Sequence, residues 1–296
     1  MEKEMFITSK RGGLKDVYYN ILKICPIKLK AYIDIFRVHH KIYSDKNPKY
    51  FSEKLQWLKI HHKLERYTNL ADKYAMREYV KEKIGEKYLI PLLGVWDNAD
   101  DINFSELPNR FVLKANHGQG YNIVCSNKEK VDTNEIRKNL KRFLKEDYSS
   151  IKGELQYKNI PRKIICEQYM EDETGELSDY KFFCQDGEVK MFGTYRNRSV
   201  SLQINYYYKD KSDFGITAAG KYSNDDNKFL PKEIDEMIVL AEKLSKDIPF
   251  VRVDFYLVEG KIYVGELTFT PGGGSDPFSP LEKDLEVASW VDLSKY

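Results

Sequence analysis

The chain lacks an uncharged apolar run of the length that a membrane-spanning helix needs, and its first residues, MEKEMFITSKRGGLK, lack the apolar segment of a secretion signal. We therefore expect a cytoplasmic protein. Cysteines are few and widely spaced, with no CxxC pair, which argues against a structural zinc site and is typical of reduced, buried thiols. The motif GxxxxGK[ST] is also missing, which excludes a P-loop enzyme.

An excess of one charge is missing as well. Lys+Arg 48 and Asp+Glu 46 nearly balance over 296 residues, so we expect no nucleic-acid partner. Residues 10–41 are the exception, because their bases outnumber Asp16 and Asp34 by six; the bases are Lys10, Arg11, Lys15, Lys23, Lys28, Lys30, Arg37 and Lys41. Interleaved apolar residues leave two interpretations open: a basic amphipathic region that contacts the inner face of a membrane, or a helical cap with solvated lysines.

What the chain does contain is helical periodicity first and strand alternation later. Residues 1–70 are predicted to form a helical cap. From Phe111 onward short strands and hairpins dominate, with helices predicted over about residues 133–146 and 231–246 and a turn at Asp186-Gly187. Helices intervene without a regular strand-helix-strand rhythm, which predicts an α+β fold with antiparallel sheets. We expect domains at 1–70, 71–165 and 166–296.

The segment VRVDFYLVEGKIYVGELTFTPGGG, residues 251–274, predicts a β-hairpin with an acid on each strand. A three-residue loop, 259–261, would place Asp254 opposite Glu266 and Arg252 opposite Thr268, whereas a two-residue loop would place the two acids on opposite faces. The three-residue register is preferred because it gathers the polar side chains on one face. Facing carboxylates need a cation, and hard oxygen ligands suit magnesium; a solvated acidic face is the alternative.

A second polar motif is KANHGQGYN, residues 114–122. It places Lys114 at the end of a strand, before a loop in which Gly118 and Gly120 allow backbone N–H groups to turn toward an anion. An ordinary hairpin turn with an exposed lysine has the same pattern. His117 lies in this loop and is equally consistent with packing or with a ligand contact.

Several segments, in order, resemble the ATP-grasp superfamily and, more closely, its TupA-like branch, named for teichuronopeptide biosynthesis. They cover residues 47 to the C-terminus: NPKYFSEKLQWLKI, ADKYAMREYVKEKIGEKYLIPLLGVWDN, FVLKANHGQGYN, SDYKFFCQDGEV and RVDFYLVEGKIYVGELTFTPGGGSDPF. The resemblance implies an ATP-grasp fold, in which two α+β subdomains sandwich the nucleotide. Here a short helical N-terminal region precedes them.

The resemblance also implies roles for individual residues. Catalytic contacts are expected from Arg252 and Lys114, with a looser match at Arg196 or Arg198. Nucleotide contacts are expected from Lys73, Lys114, His117, Gly118, Gly120, Glu167, Tyr169, Met170, Asp179 and Lys181. Magnesium ligands are expected at Asp254, Glu266 and Thr268, and the threonine is a departure because the family usually has asparagine there.

The function implied is an ATP- and Mg²⁺-dependent carboxylate-amine ligase that works through an acyl phosphate. Its expected substrates are a small amine or amino acid and a carboxylate-bearing saccharide, in bacterial capsular or cell-surface polysaccharide synthesis. A sugar or glycan kinase and a non-catalytic nucleotide- or glycan-binding protein remain alternatives. Exchanges Asp254→Asn and Lys114→Ala are expected to abolish turnover with little loss of stability, because both residues lie on polar faces.

Overall fold

The computed structural model describes residues 5–7, 20–173, 175–197, 201–216 and 230–296. These residues form two compact units. Unit 1 comprises the described parts of Met1–Cys25, Glu65–Arg77 and Ile90–Tyr169, and unit 2 comprises those of Pro26–Leu64, Glu78–Leu89 and Met170–Tyr296. The predicted boundary at residue 70 coincides with neither unit, because residues 26–64 cluster with the C-terminal segment and do not form a separate cap.

Each unit contains a five-stranded antiparallel sheet. The strands are β1 Met5–Ile7, β2 Leu92–Trp96, β3 Phe111–Ala115, β4 Asn122–Cys125, β5 Ile164–Gln168, β6 Asp179–Gln185, β7 Glu188–Arg196, β8 Gln203–Tyr208, β9 Val251–Val258 and β10 Lys261–Thr268. Their order is β1-β4-β3-β5-β2 in unit 1 and β10-β9-β6-β7-β8 in unit 2. Every paired strand runs antiparallel to its neighbour, which confirms the predicted α+β class.

The described ranges include the α-helices α1 Ile27–His39, α2 Phe51–His61, α3 Thr68–Ala71, α4 Met76–Lys83, α5 Thr133–Lys145, α6 Ser149–Lys152, α7 Ile234–Ser245 and α8 Leu281–Trp290. Residues 20–24 are also helical. Short 3₁₀ turns occupy Leu64–Tyr67, Glu86–Tyr88, Ala99–Asp101, Phe104–Glu106, Lys128–Lys130, Leu155–Tyr157, Pro271–Gly273 and Leu293–Lys295. Within the part of the chain that the structure describes, no helix combines the length and the apolarity that crossing a bilayer requires.

In unit 1, helix α5 packs on one face of the sheet because its apolar residues recur at helical spacing. Ile136, Leu140 and Phe143 are fully buried and share a core with the inward residues of β3, β4 and β5. Strict alternation on β3 leaves Lys114 on the opposite face from Leu113 and Ala115. The sheet therefore presents one apolar and one partly polar face.

In unit 2, both faces of the sheet are partly covered. Helix α7 packs against β6, β7 and β9 on one side. On the other side, Phe183 and Met191 of the sheet share a core with Phe51 and Leu55 of α2 and with Val287 of α8. The backbone N–H of Phe51 also donates to Asp284 Oδ2 at 3.2 Å, which joins α2 to α8. The apolar packing ends where β6, β9 and β10 carry charged residues.

Candidate functional site

A group of charged side chains in unit 2 comes from three adjacent strands, β6, β9 and β10. Lys181 on β6 pairs with Asp254 on β9, and Asp254 pairs in turn with Glu266 on β10. Thr268 pairs with Arg252 in the same ladder. Since paired residues of an antiparallel sheet project to the same face, these side chains lie together. The register predicted for the two acids is confirmed.

The loop that produces this register differs from the prediction. Lys261 pairs with Val258, so the hairpin turns through only two residues, Glu259 and Gly260, both at positive φ of 51° and 71°. A bulge between Val264 and Glu266 then absorbs one extra residue, Gly265, and returns Glu266 to the face of Asp254. A Cβ at Gly265 would lie 2.8 Å from the Tyr256 ring, so glycine suits the bulge. The expectation that a two-residue loop separates the acids was wrong.

Arg252 connects most members of this cluster. Its Nε donates to Asp254 Oδ1 and its Nη2 to Asp254 Oδ2, both at 2.6 Å. Nη2 also donates to Glu266 Oε1 at 3.1 Å and to Thr268 Oγ1 at 3.2 Å. The Thr268 hydroxyl donates to Glu266 Oε1 at 2.9 Å. A bidentate arginine of this kind fixes the orientation of the carboxylate as well as its charge.

Lys181 is the second cation of the cluster. Its Nζ donates to Asp179 Oδ1 at 3.0 Å and forms a close ion pair with Asp254 Oδ2. The same ammonium lies 5.2 Å from the centroid of the Tyr195 ring, in cation–π range. We name these residues, Asp179, Lys181, Arg252, Asp254 and Glu266, the charge cluster. It holds three carboxylates and two cations, and therefore a formal charge of −1.

The cluster is largely withdrawn from solvent. The Asp254 side chain is 1% exposed, those of Asp179 and Lys181 7% and 8%, and that of Glu266 28%. Burial opposes the charged form of Arg252, but the Asp254 and Glu266 carboxylates outweigh it and raise the pKa of the guanidinium. Arg252 therefore carries a permanent charge, and the cluster depends on mutual neutralisation because isolated buried charges are costly.

The oxygen atoms of the cluster fit a magnesium ion chemically. Asp254 and Glu266 offer hard carboxylate oxygens from directly opposed positions, and the Thr268 hydroxyl adds a neutral oxygen beside Glu266. Among the described residues, no group of three or more His, Cys, Asp or Glu side chains is arranged to hold a metal. The candidate site thus has two carboxylates and a hydroxyl, which leaves coordination positions for water and for substrate oxygens.

In unit 1, the two predicted lysines have different partners. Lys114 Nζ lies 2.5 Å from Glu167 Oε2, across the β3–β5 ladder, and Arg77 Nη1 lies 3.6 Å from Glu167 Oε1. Lys73 donates its ammonium to the carbonyl oxygen of Gly118, while its own backbone N–H bonds to Asn116. Both lysines therefore lie at the end of β3 or at the glycine loop that follows it.

The two glycines of this loop differ. Gly118 is buried at φ 98°, and a Cβ there would lie 2.6 Å from the Tyr148 ring; Gly120 is exposed at φ 75°, with no atom of the described chain within 4 Å of such a Cβ. His117 is 2% exposed, and its Nε2 lies 3.3 Å from the Glu146 carbonyl. Burial, followed by the charge of Arg162, lowers the pKa of His117 to about 4, which keeps the imidazole neutral. Packing against the Tyr148 ring accounts for the glycine at residue 118.

The other residues predicted for the site do not all lie in the charge cluster or beside the glycine loop. Asp179 belongs to the charge cluster. Tyr169 follows β5 in unit 1, with the Arg110 guanidinium 4.0 Å from its ring centroid, and Met170 is the first residue of the C-terminal part of unit 2. Arg196 ends β7 in contact with the Tyr180 hydroxyl; Tyr180 alternates with Asp179 and Lys181, so Arg196 lies on the sheet face opposite the charge cluster. Arg198 lies outside the described residues.

Sequence reasoning missed two sets of residues. Arg77 is four residues after Lys73, a spacing that within a helix would place both on one side and could have indicated a shared role, although Lys73 lies in the turn before α4. Gln56 and Lys59 of α2 hold the TPGGG loop: Gln56 Nε2 donates to Gly274 O at 2.9 Å and Lys59 Nζ to Gly273 O at 3.0 Å. Their separation from the loop by more than 200 residues left no local signal.

The protein has two antiparallel sheets. One carries lysines beside a glycine loop, and the other carries a hairpin with two carboxylates. It is an α+β protein of the ATP-grasp class. The family described as TupA-like ATPgrasp matches residues 53–291, and the chain belongs to that family. A search of curated proteins returned no match.

Solved structures similar to the chain include several ligases. D-alanine–D-alanine ligase from Bacillus anthracis, complexed with ATP, is 17% identical over 76% of this chain and 64% of that chain, with a TM-score of 0.43. The Helicobacter pylori enzyme of the same name is 15% identical over 83% and 67%, with a TM-score of 0.41. N5-carboxyaminoimidazole ribonucleotide synthetase from Thermus thermophilus is 12% identical over 82% and 51%, with a TM-score of 0.37. The chain thus spans about half to two thirds of these proteins.

Proposed function

We propose that the protein is an ATP- and Mg²⁺-dependent ligase that joins a carboxylate to an amine. The observation that carries this proposal is the charge cluster, in which Arg252 bridges two carboxylates that face each other across a strand pair. Such a buried, preorganised set of charges suits phosphoryl transfer, where catalysis is mostly positioning and electrostatic stabilisation. Membership of the TupA-like ATP-grasp family supports the same interpretation.

The carboxylates of the site suit a magnesium ion, and its cations suit the phosphates of a nucleoside triphosphate. Asp254 and Glu266, with the Thr268 hydroxyl, would hold magnesium, which neutralises phosphate oxygens and polarises the transferred group when bound. Arg252 stays cationic and oriented by Asp254, so it is suited to stabilise charge on the γ-phosphoryl group. The family resemblance assigns phosphate contacts to Lys73 and Lys114 of unit 1.

The chemistry requires no enzyme nucleophile. A carboxylate oxygen of the saccharide attacks the γ-phosphorus of ATP, the bond to the β-phosphate oxygen breaks, and ADP leaves. The amine nitrogen then attacks the carbonyl carbon of the acyl phosphate, phosphate leaves, and the nitrogen loses a proton to form the amide. We propose a uronic acid as the carboxylate substrate and an amino acid or small amine as the acceptor, in cell-surface polysaccharide synthesis. The resemblance to a branch named for teichuronopeptide biosynthesis supports this substrate class.

Hydroxylamine trapping tests the reaction. With ATP, Mg²⁺ and glucuronic or galacturonic acid, we expect hydroxylamine to be converted to a hydroxamate with release of one ADP and one phosphate for each product. A kinase would instead leave a stable phosphorylated sugar and no hydroxamate. Failure of the purified protein to bind ATP in the presence of Mg²⁺ would exclude both enzymatic functions.

A matched pair of lysine variants tests the placement of the site. Lys181→Met removes a cation of the charge cluster, whereas Lys261→Met removes an exposed lysine from the start of β10, about 16 Å along the strand from Glu266. We expect Lys181→Met to lose at least about tenfold in kcat/KM for ATP, consistent with a loss of about 1.4 kcal/mol or more of transition-state stabilisation. Lys261→Met should match the unmodified protein, and equal activity of all three would refute the placement.

A further inference from the structure

Helix α1 buries one apolar side in the ordinary way, with Ala31 and Ile35 at 0% exposure in a core that includes Tyr43. It has a second apolar side that meets solvent, with Leu29, Tyr32 and Phe36 exposed at 46%, 40% and 60%. A helix that simply caps a core buries its apolar residues and solvates its charged ones. The exposed apolar side of α1 is therefore not explained by packing within unit 2.

The exposed residues form a continuous stripe. Leu29, Tyr32 and Phe36 are spaced i, i+3 and i+7, which at about 100° per residue places them within about 60° of one another around the helix. Lys28 lies about 70° to one side of the centre of this stripe and Arg37 about 110° to the other. We name these five residues the α1 face.

Both bases of the α1 face reach solvent. The Lys28 side chain is 58% exposed although its Nζ lies 3.1 Å from Asp45 Oδ2, and that of Arg37 is 53% exposed, 4.0 Å from Asp34. Beyond the helix, Lys41 is exposed and Ile42 is 80% exposed. The apolar stripe is thus flanked by positive charge, and the basic excess of residues 10–41 extends into residues 10, 11 and 15, which lie outside the described ranges.

We propose that the α1 face docks on an anionic membrane surface. Leucine and phenylalanine side chains enter the boundary between headgroups and acyl chains, a tyrosine suits the interface because it has an apolar ring and a polar hydroxyl, and flanking bases meet anionic headgroups. Charge complementarity selects this occupant over a second copy of the chain, because symmetric pairing of two α1 faces would bring basic flanks together. The proposal is independent of the ligase reaction, since no residue of the α1 face belongs to the charge cluster.

Vesicle co-sedimentation of the full chain tests the proposal. The probes are phosphatidylcholine vesicles with and without about 30% phosphatidylglycerol, at two salt concentrations. We expect binding to the anionic vesicles to be at least about tenfold tighter than to the neutral ones, and to weaken as salt rises because the basic flanks contribute electrostatically. Phe36→Asp should reduce binding at least about tenfold, and Arg37→Glu should reduce both the binding and its salt dependence.

Val239→Asp is the matched control. Val239 is an apolar residue 51% exposed on α7 of the same unit, so its exchange introduces the same charge on another helix. We expect it to bind vesicles like the unmodified protein, and circular dichroism should show the same helix content for all variants.

Three results would overturn the proposal. The first is no binding to anionic vesicles, and the second is binding that Phe36→Asp and Val239→Asp reduce equally. The third is a concentration-dependent dimer, seen by sedimentation velocity, that Phe36→Asp dissociates, because the α1 face would then cover a second copy.

Discussion

Removing the charge of Asp254 should destabilise the fold as well as the reaction, contrary to the expectation from strand alternation alone. Asp254 lies on the polar face, but its side chain is 1% exposed and accepts from Arg252 through both oxygens while pairing with Lys181. In Asp254→Asn, one oxygen becomes an NH₂ group that faces cationic donors. Arg252 and Lys181 then keep only Asp179 and the partly exposed Glu266 as carboxylate partners within the charge cluster.

The expected loss is about 3 to 5 kcal/mol of unfolding free energy, the range for breaking a buried ion pair by removing one partner. Glu266→Gln is the matched control, because it makes the same carboxylate-to-amide exchange at a side chain that is 28% exposed and lies 3.1 Å from Arg252. We expect about 1 kcal/mol there, since water replaces part of the lost interaction.

Urea unfolding followed by circular dichroism, without nucleotide or magnesium, measures both variants. The double variant Asp254→Asn/Lys181→Met removes one of the cations left uncompensated, so its loss should be smaller than the sum of the single losses by about 1 to 3 kcal/mol. The reasoning is refuted if Asp254→Asn lies within about 1 kcal/mol of the unmodified protein, or if Glu266→Gln costs as much.

Three further predictions concern unit 1. Lys114→Ala should abolish turnover and cost about 1 to 3 kcal/mol, because it leaves the Glu167 carboxylate, 7% exposed, with only a looser arginine contact; hydroxamate formation and urea unfolding measure the two effects. The fold lowers the pKa of His117 from 6.5 to about 4, so the unfolded state takes up a proton first as the pH falls. About 3 kcal/mol of unfolding free energy is therefore present above pH 6.5 and is lost as the pH falls toward 4. Across that range the unfolding free energy of His117→Gln should decline less steeply than that of the unmodified protein. Gly118→Ala should lower the thermal midpoint much more than Gly120→Ala, since both residues have positive φ but only the first meets a ring.

Each of these has an outcome that would contradict it. Undiminished hydroxamate formation by Lys114→Ala would remove that lysine from the proposed site. Parallel pH curves for the histidine variant and the unmodified protein would mean that His117 is not held neutral. Equal midpoints for the two glycine variants would show that the Tyr148 ring yields to a methyl group at no cost.

Sequence patterns were sufficient for the parts of this protein that local periodicity governs. Alternation of apolar and polar residues predicted the hairpin of β9 and β10, and the helices of residues 133–146 and 231–246 were found as α5 and α7, with ends within three residues. The turn at Asp186-Gly187 joins β6 to β7 as predicted, with both residues at positive φ. The family resemblance carried by ordered motifs was confirmed over residues 53–291.

Tertiary structure decided what local periodicity does not encode. Alternation in this hairpin is broken by a bulge, so the pairing of Asp254 with Glu266 depends on Gly265 together with the two-residue loop. Arg196 likewise faces away from the charge cluster because the β6–β7 pairing shifts by one residue between Phe183 and Cys184, and alternation alone does not predict that irregularity.

The sequence by itself therefore determined the α+β class, the family and the identity of the charged residues, because these depend on composition and short-range order. Only the tertiary structure decided how those charges are used. It buried Asp254 between Arg252 and Lys181, and it left Leu29, Tyr32 and Phe36 of α1 exposed. Burial is a property of the whole packed unit, since long-range contacts determine which face of an element meets solvent and which meets the core.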